Sequence, residues 1–256
     1  MSVMFYVPSA QAQVGKLQKR VCEMGFSWPV GGRLDLELLA TVFLDCQIVE
    51  LEKLTDRAAL RYLADHCGIQ KSATRSDETP LAAGLYCSQV TNRRWLFVEK
   101  SDVKPRKRFS VAHEIGHLVL EFEKMLAEPA KLLNDPQYAL VTFTRCTSKE
   151  LDKLETGARL QLASNRSAKR WRPEDIREFD ANHFAAELLM PCEAVRAIIR
   201  TDAPNGVNTE DDLERVVSRV RTTFDVSLDA AQRRVRHDLR VHPASTNPNS
   251  DLFLQH

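Results

Sequence analysis

The chain has 256 residues, of which 43% are hydrophobic and 28% are charged, and its formal net charge is +1. This composition predicts a globular protein with a sizeable core, built as one large domain or as a domain with a small appendage. The sequence has no apolar run of about 18 residues and no signal-peptide pattern, so neither a transmembrane helix nor secretion is predicted. A net charge near zero argues neither for nor against nucleic-acid binding, so only a local basic cluster could indicate it.

The six cysteines are irregularly spaced, and none forms a CxxC pair. This spacing does not suit a cysteine zinc site. It predicts packed, reduced thiols in a cytoplasmic protein rather than a disulfide framework.

Hydrophobic periodicity and turn residues predict a mixture of helices and strands along the chain. Helices are predicted at 9–26, 35–43, 56–66, 173–191, 209–222 and 227–240, and one more begins at Pro105. Strands are predicted at 46–51, 81–88, 94–99 and 139–144. Gly68 is the predicted C-cap of the 56–66 helix, and residues 91–92 are the predicted turn between two of the strands.

His113 and His117 are the first candidate functional residues. They lie four residues apart in a predicted helix, so their imidazoles share one face and can bind the same tetrahedral ion. Glu114 lies beside them and is placed to take a proton from metal-bound water and return it to the leaving amine. This His-Glu-x-x-His pattern predicts a zinc peptidase site, although the same pattern also arises by chance in surface helices.

The helix that begins at Pro173 offers a third ligand. Glu178 and Asn182 are spaced i, i+4, so Glu178 can bind the ion while Asn182 orients one of the histidines. Asp180 is the rival ligand, but it lies two positions from Glu178 and points to a different side of the helix. We favour Glu178 and keep Asp180 as the alternative.

Two long segments carry a resemblance to a known family. Residues 108–117 read RFSVAHEIGH, and residues 178–191 read EFDANHFAAELLMP. Both are similar to motifs of the ImmA/IrrE metallopeptidases, whose usual pattern is close to RFTLAHELGH followed by ExxAN-x-FAAELLMP. The resemblance implies an α+β, zincin-like metallopeptidase fold with a small antiparallel or mixed sheet and a helical C-terminal segment. It also implies a gluzincin-like site that binds one Zn²⁺ per chain through His113, His117 and Glu178, with Glu114 as general base.

The resemblance also suggests how the chain is divided into domains. The predicted parts are an N-terminal helical extension at 1–33, a zincin-like metallopeptidase domain at 34–200, a helical C-terminal segment at 201–241 and a disordered tail at 242–256. The stretch between the two motifs is longer than in compact members of the family. Residues 124–170 are therefore interpreted as an inserted loop or lid over the cleft.

Two further groups of residues are weaker candidates. Tyr138 is the candidate donor to the developing oxyanion, with His183 and the arginines of 145–177 behind it, although Tyr138 and His183 also suit simple packing roles. A basic cluster precedes the histidine helix and consists of Lys104, Arg106, Lys107 and Arg108. It is either a solvated helix start or a surface that attracts an acidic stretch of substrate.

Residues and resemblance together predict a cytoplasmic zinc endopeptidase that cleaves a specific regulatory protein by Glu114-assisted attack of zinc-bound water. The resemblance implies a protein substrate such as a helix-turn-helix repressor of a mobile element, whose cleavage releases stress or transfer genes. No direct contact with nucleic acid or membrane is expected. The alternative is a regulatory partner, as in a toxin–antitoxin pair, that keeps the zinc fold but acts by protein–protein interaction. A DNA-binding stress regulator is a third hypothesis, which the mixed charge of residues 201–256 disfavours.

Overall fold

The structure is a computed structural model that describes residues 10–29, 31–68, 78–88, 93–122, 140–147 and 173–241. The chain divides into two compact units, one formed by Leu36–Asn182 and the other by Met1–Asp35 with His183–His256. The helices of the described residues are α1 (Ala10–Glu23), α2 (Leu36–Leu38), α3 (Asp56–Cys67), α4 (Lys104–His117), α5 (Pro173–Leu189), α6 (Cys192–Asp202), α7 (Glu210–Phe224) and α8 (Leu228–Val241).

A mixed four-stranded sheet lies at the centre of the unit Leu36–Asn182, with the strand order β1-β3-β2-β4. Its strands are β1 (Cys46–Leu51), β2 (Leu81–Ser88), β3 (Arg94–Glu99) and β4 (Leu140–Thr147). β1 runs parallel to β3, whereas β2 runs antiparallel to both β3 and β4. The sheet is therefore of the mixed kind, one of the two kinds that the sequence left open.

Helix α3 packs on one face of the sheet through an aromatic core. Trp95 and Phe97 of β3 are buried with Tyr86 of β2 in this core. The rings of Tyr86 and Phe97 meet edge to face, with centroids 5.3 Å apart, which is a favoured geometry for aromatic pairs. The Tyr86 hydroxyl donates a hydrogen bond to the buried carboxylate of Asp56 at the start of α3. One polar bond therefore fixes how α3 begins over this face.

Helix α4 contacts β2 and β3 and is almost wholly enclosed. Side chains alternate along a strand, so Leu96 and Val98 of β3 point away from the aromatic core. Phe109 of α4 packs against Ala82 of β2. Every residue of α4 from 110 to 117 is buried, including two histidines and a glutamate. Polar groups at such depth need partners, which makes this helix the place to look for a functional site.

In the other unit, a buried ionic cluster joins α8 to the C-terminal end of α5. The Arg234 guanidinium pairs with Glu187, and its Nε lies 3.4 Å from Asp238 Oδ2. The Cys192 thiol donates to Asp238 Oδ1 at 3.2 Å. Burial raises the pKa of Asp238, and the positive charge of Arg234 opposes that rise. Because one buried guanidinium serves two carboxylates, each charge in the cluster has an opposite neighbour.

The structure confirms β1, β2 and β3 at their predicted bounds, adds the unpredicted helix α6, and shifts the ends of the other elements, most clearly in three of them. Helix α1 ends at Glu23 rather than at residue 26, because Gly25 adopts a positive φ of 87°. The predicted helix at 35–43 is α-helical only at Leu36–Leu38 and continues as a π-helix over Leu39–Phe43. Strand β4 extends to Thr147 instead of ending at residue 144.

The range 124–170, interpreted from the sequence as an inserted loop or lid, contains β4. Because Leu140–Thr147 pairs with β2 in the sheet, this part of the range belongs to the central sheet. Outside the described residues lie the rest of the range 124–170, the turn predicted at 91–92 and the tail at 242–256. The lid and the domain bounds at residues 33 and 200 remain predictions.

Among the described helices, none has the length and apolar character needed to cross a membrane. Five cysteines carry free thiols in the structure, namely Cys22, Cys46, Cys67, Cys87 and Cys192.

The carboxylate of Glu99, at the end of β3, holds the loop between β1 and α3. It accepts the backbone N–H groups of Leu54 at 2.6 Å and Lys53 at 3.3 Å, and the hydroxyl of Ser101 at 2.7 Å. Lys53 has a φ of 54°, a left-handed conformation that costs energy for a non-glycine residue. Burial alone would raise the pKa of Glu99, but these hydrogen bonds hold it below its ordinary value of 4.5.

We expect Glu99→Gln to lower the free energy of unfolding by about 1–3 kcal/mol at neutral pH, because it removes charge-assisted hydrogen bonds. The folded-state pKa is depressed, so the contribution of Glu99 is full above the unfolded-state pKa and is lost as the pH falls through the folded-state value. Urea unfolding of the two proteins, in the presence of a chelator, should therefore show a difference that shrinks below about pH 4.5.

The matched control is Glu52→Gln, which removes an exposed ion pair with Lys100 at 3.1 Å. It should change the free energy of unfolding by less than about 0.5 kcal/mol. Equal losses in the two variants, or a Glu99→Gln effect that does not depend on pH, would contradict this role of Glu99.

Candidate metal centre

Two buried histidines of α4 face one another across a single helical turn. Pro105 lies in the first turn of α4, where its fixed φ suits a helix start. Four residues separate His113 from His117, so both imidazoles project from the same face. Their ring centroids are 4.7 Å apart with an interplanar angle of 79°, and their Nε2 atoms are 3.1 Å apart. The two Nε2 atoms therefore converge on one point in the interior.

The carboxylate of Glu178, on α5, completes the cluster. Its Oε2 lies 3.3 Å from His113 Nε2, and its Oε1 lies 3.4 Å from His117 Nε2. The Glu178 side chain is 37% exposed, whereas the two imidazoles are buried. Burial alone would raise the pKa of Glu178, but the hydrogen bonds and charges of the two histidines hold it well below its ordinary value. The cluster thus has a closed side on α4 and an open side at Glu178.

Asn182 determines which nitrogen of His113 carries a proton. Its Nδ2 donates to the backbone carbonyl oxygen of Glu178 at 2.7 Å, so Oδ1 is the atom that lies 3.1 Å from His113 Nδ1. An amide oxygen only accepts hydrogen bonds, so Nδ1 of His113 is the donor. In the neutral imidazole the Nε2 atom then keeps its lone pair, as a metal ligand must.

The three donor groups fit a zinc ion. The ligand atoms of His113, His117 and Glu178 all lie within 4.8 Å of one another, and this group could hold a metal ion. Tetrahedral zinc with ligands at about 2.0–2.1 Å places neighbouring ligand atoms about 3.3 Å apart. Here the two Nε2 atoms are 3.1 Å apart, His113 Nε2 is 3.3 Å from Oε2 of Glu178, and His117 Nε2 is 3.4 Å from Oε1. Two imidazoles and one carboxylate are also a donor set of catalytic zinc sites.

Glu114 is fully buried and shares its surroundings with a thiol. Burial raises the pKa of Cys46, at the start of β1, to about 12, and the negative charge of Glu114 adds to that rise while Arg94 opposes it. Cys46 is therefore a neutral thiol beside Glu114 rather than a second anion. The sequence gives no signal for this neighbour, because it comes from a distant strand.

The other sequence-predicted candidates do not join the cluster of described ligands. Asp180 is half-buried and is not part of the group formed by His113, His117 and Glu178. His183 is half-buried and belongs to the other compact unit. Tyr138 lies outside the described residues, so its oxyanion role remains a prediction.

The contact between Phe109 and His113 was not predicted from the sequence. The ring of Phe109 stacks against His113 with centroids 6.5 Å apart and an interplanar angle of 29°. The signal was present, because residues spaced i, i+4 on a helix are neighbours. Hydrophobic periodicity marks Phe109 only as an apolar residue of the helix.

The fold and the cluster define a class of protein. A mixed sheet, a buried helix with paired histidines and a helical C-terminal segment are the features of a zincin-like α+β domain. Residues 155–236 match the sequence model of the IrrE N-terminal-like domain, the Peptidase_M78 family. This match supports the resemblance to the ImmA/IrrE family that the motifs carry. It includes Glu178 and Asn182, whereas the segment 113–117 precedes it. No curated protein sequence matches the chain.

We expect the wild-type chain to bind one Zn²⁺ and Glu178→Gln to bind it more than about tenfold less tightly, because an amide is a weaker ligand than a carboxylate. Asp180→Asn is the matched control and should bind zinc like the wild type. Competition against a chromophoric chelator gives the affinity, and metal analysis after dialysis gives the stoichiometry. Loss of zinc from Asp180→Asn together with retention in Glu178→Gln would make Asp180 the ligand instead.

Proposed function

We propose that this protein is a zinc-dependent endopeptidase in which His113, His117 and Glu178 hold one Zn²⁺ and Glu114 is the general base. One observation carries the proposal. The two imidazole Nε2 atoms lie 3.1 Å apart, and each lies 3.3–3.4 Å from one oxygen of the Glu178 carboxylate, separations close to those around a tetrahedral zinc ion. The match of residues 155–236 to a metallopeptidase family model also supports it.

The number of donors favours catalysis over a structural role. Structural zinc sites are closed by four protein ligands, whereas catalytic sites use three and leave one position for water or substrate. Within the described part of the chain, the group that could hold an ion has three members. The partial exposure of the Glu178 side chain provides a side from which a substrate can approach.

The residues of the chain then divide the work of peptide hydrolysis. A bound zinc ion would supply Lewis acidity, lowering the pKa of water and polarising the scissile carbonyl. Glu114, next to His113 in the chain, takes the proton from the attacking water and returns it to the leaving amine nitrogen. Asn182 keeps His113 in the tautomer that presents Nε2. Burial of Glu114 strengthens its interaction with a nearby cation, because the effective dielectric constant is low in the interior.

We further propose that the substrate is a regulatory protein, such as a helix-turn-helix repressor. This part rests on the family resemblance, which implies protein substrates of that kind. The partial exposure of the Glu178 side chain leaves the cluster accessible from that side. The natural candidates for a test are repressors encoded beside the gene for this chain.

We expect Glu114→Gln to bind zinc as tightly as the wild type and to lose at least about a hundredfold in cleavage rate, because the amide cannot accept the proton from water. Purified protein is mixed with each candidate repressor, and fragments are followed by mass spectrometry. Glu50→Gln is a suitable control, since it removes only the exposed pair with Lys107 at 3.0 Å and should cleave normally.

Normal cleavage by Glu114→Gln would overturn the assigned mechanism. A Glu114→Gln chain that loses cleavage yet still inactivates the repressor in cells would instead favour action by protein–protein interaction.

A further inference from the structure

Phe109 lies one helical turn before His113, and its ring makes an offset stacking interaction with the imidazole. The two rings are 29° from parallel with centroids 6.5 Å apart, within the range of offset-stacked aromatic pairs. His113 is thus contacted in three ways. Asn182 holds the Nδ1 edge at 3.1 Å, the His117 ring meets it edge to face, and Phe109 lies along one face.

These three contacts restrict different movements of the ring. A hydrogen bond at Nδ1 fixes one edge of the imidazole but still allows the ring to tilt about that bond. The Phe109 ring, 29° from parallel at a centroid distance of 6.5 Å, opposes such a tilt through its stacking interaction with the imidazole. The helical backbone limits the remaining torsion to a few rotamers. Phe109 therefore supplies the one restraint that neither Asn182 nor the backbone provides.

The surroundings of Phe109 also set it apart from an ordinary core residue. Ala112 and Ile115 on the same helix are fully buried, whereas Phe109 is half-buried. Its described packing partner on the sheet is the small side chain of Ala82. A large aromatic ring that is only partly covered contributes less to burial of apolar surface than its size allows. Stacking on His113 is therefore one of the two described contacts of the Phe109 ring, the other being with Ala82.

We propose that Phe109 is a positioning residue for the metal ligand His113: its ring keeps the imidazole aligned with His117 and Glu178 before an ion binds. The inference rests on the proposed function, since it assumes that His113 is a ligand. Phe109 itself would not touch the ion or the substrate. Its effect would appear as tighter metal binding, because a ligand that is already aligned loses less freedom on binding.

The test compares Phe109→Leu, Phe109→Tyr and wild type as full-length chains. Zinc affinity is measured by competition with a chromophoric chelator, and the geometry is followed in the visible spectrum of the Co²⁺-loaded proteins. We expect Phe109→Leu to bind zinc about three- to tenfold less tightly, in line with the usual contribution of an aromatic pair. Its Co²⁺ bands should also shift or broaden. Phe109→Tyr keeps the stacked ring and should retain wild-type affinity and spectrum.

Phe97→Leu is the matched control for loss of an aromatic ring. Phe97 is fully buried in the aromatic core beside Tyr86, so this variant should lose stability through that core while its zinc affinity stays unchanged. Thermal unfolding of the metal-free proteins verifies that every variant is folded at the assay temperature. A merely structural Phe109 would give the result expected of Phe97, with lower stability and unchanged affinity.

The outcomes separate this inference from the proposed function. Wild-type affinity and an unchanged Co²⁺ spectrum in folded Phe109→Leu overturn the role of Phe109 and leave the zinc site intact. Equal weakening in Phe109→Leu and Phe109→Tyr also overturns it, because the stacked ring would then not be the cause. A wild-type chain that takes up no zinc overturns the proposed function itself and this inference with it.

Discussion

The centre of this protein depends on one directional chain of hydrogen bonds. It starts at the backbone carbonyl of Glu178, which can only accept, and passes through the Asn182 amide to Nδ1 of His113. Because the direction is fixed at its first atom, the lone pair of His113 must lie on Nε2, the atom that faces His117 and the Glu178 carboxylate. Glu178 therefore acts at both ends. Its backbone carbonyl, through Asn182, sets the tautomer of the metal ligand His113, and its carboxylate is itself another metal ligand.

That arrangement is possible only because the surrounding fold holds its parts still. A polar group in the interior is stable when its partners are in place, and a loose partner would leave it unsatisfied. Helix α4 contacts the sheet through β2 and β3, and its residues from 110 to 117 are enclosed. On the far face the aromatic core under α3, with the bond between Tyr86 and Asp56, holds the same strands. The strands that hold the histidine helix α4 are thus packed on both faces, by α4 on one and by α3 on the other, while the Glu178 side chain stays partly exposed.

Much of this could be predicted from local pattern, and the remainder depends on contacts between distant segments. Strands β1, β2 and β3 are short apolar runs bounded by turn residues, so their limits were visible in the sequence. The spacing of His113 and His117 gave a shared helix face by geometry alone.

The π-helix at Leu39–Phe43 was not predictable, because five residues are too few to distinguish helical periods. The electrostatic influence of Glu114 on the Cys46 thiol links two distant segments, which no local pattern reports. Asn182 was assigned correctly to a helix face with Glu178, yet its bond to the Glu178 carbonyl could be found only in the structure.

The distances within the cluster connect folding with binding. A cluster whose donors lie 3.1–3.4 Å apart needs little rearrangement to surround an ion with zinc-like dimensions. The cost of aligning the donors is then met when the chain folds, mainly by burial around α4, rather than when the ion binds. By linkage, an ion that binds only the folded chain must in return stabilise that fold. Helix packing and metal affinity are therefore two measures of the same arrangement, and a change that loosens His113 or Glu178 should affect both.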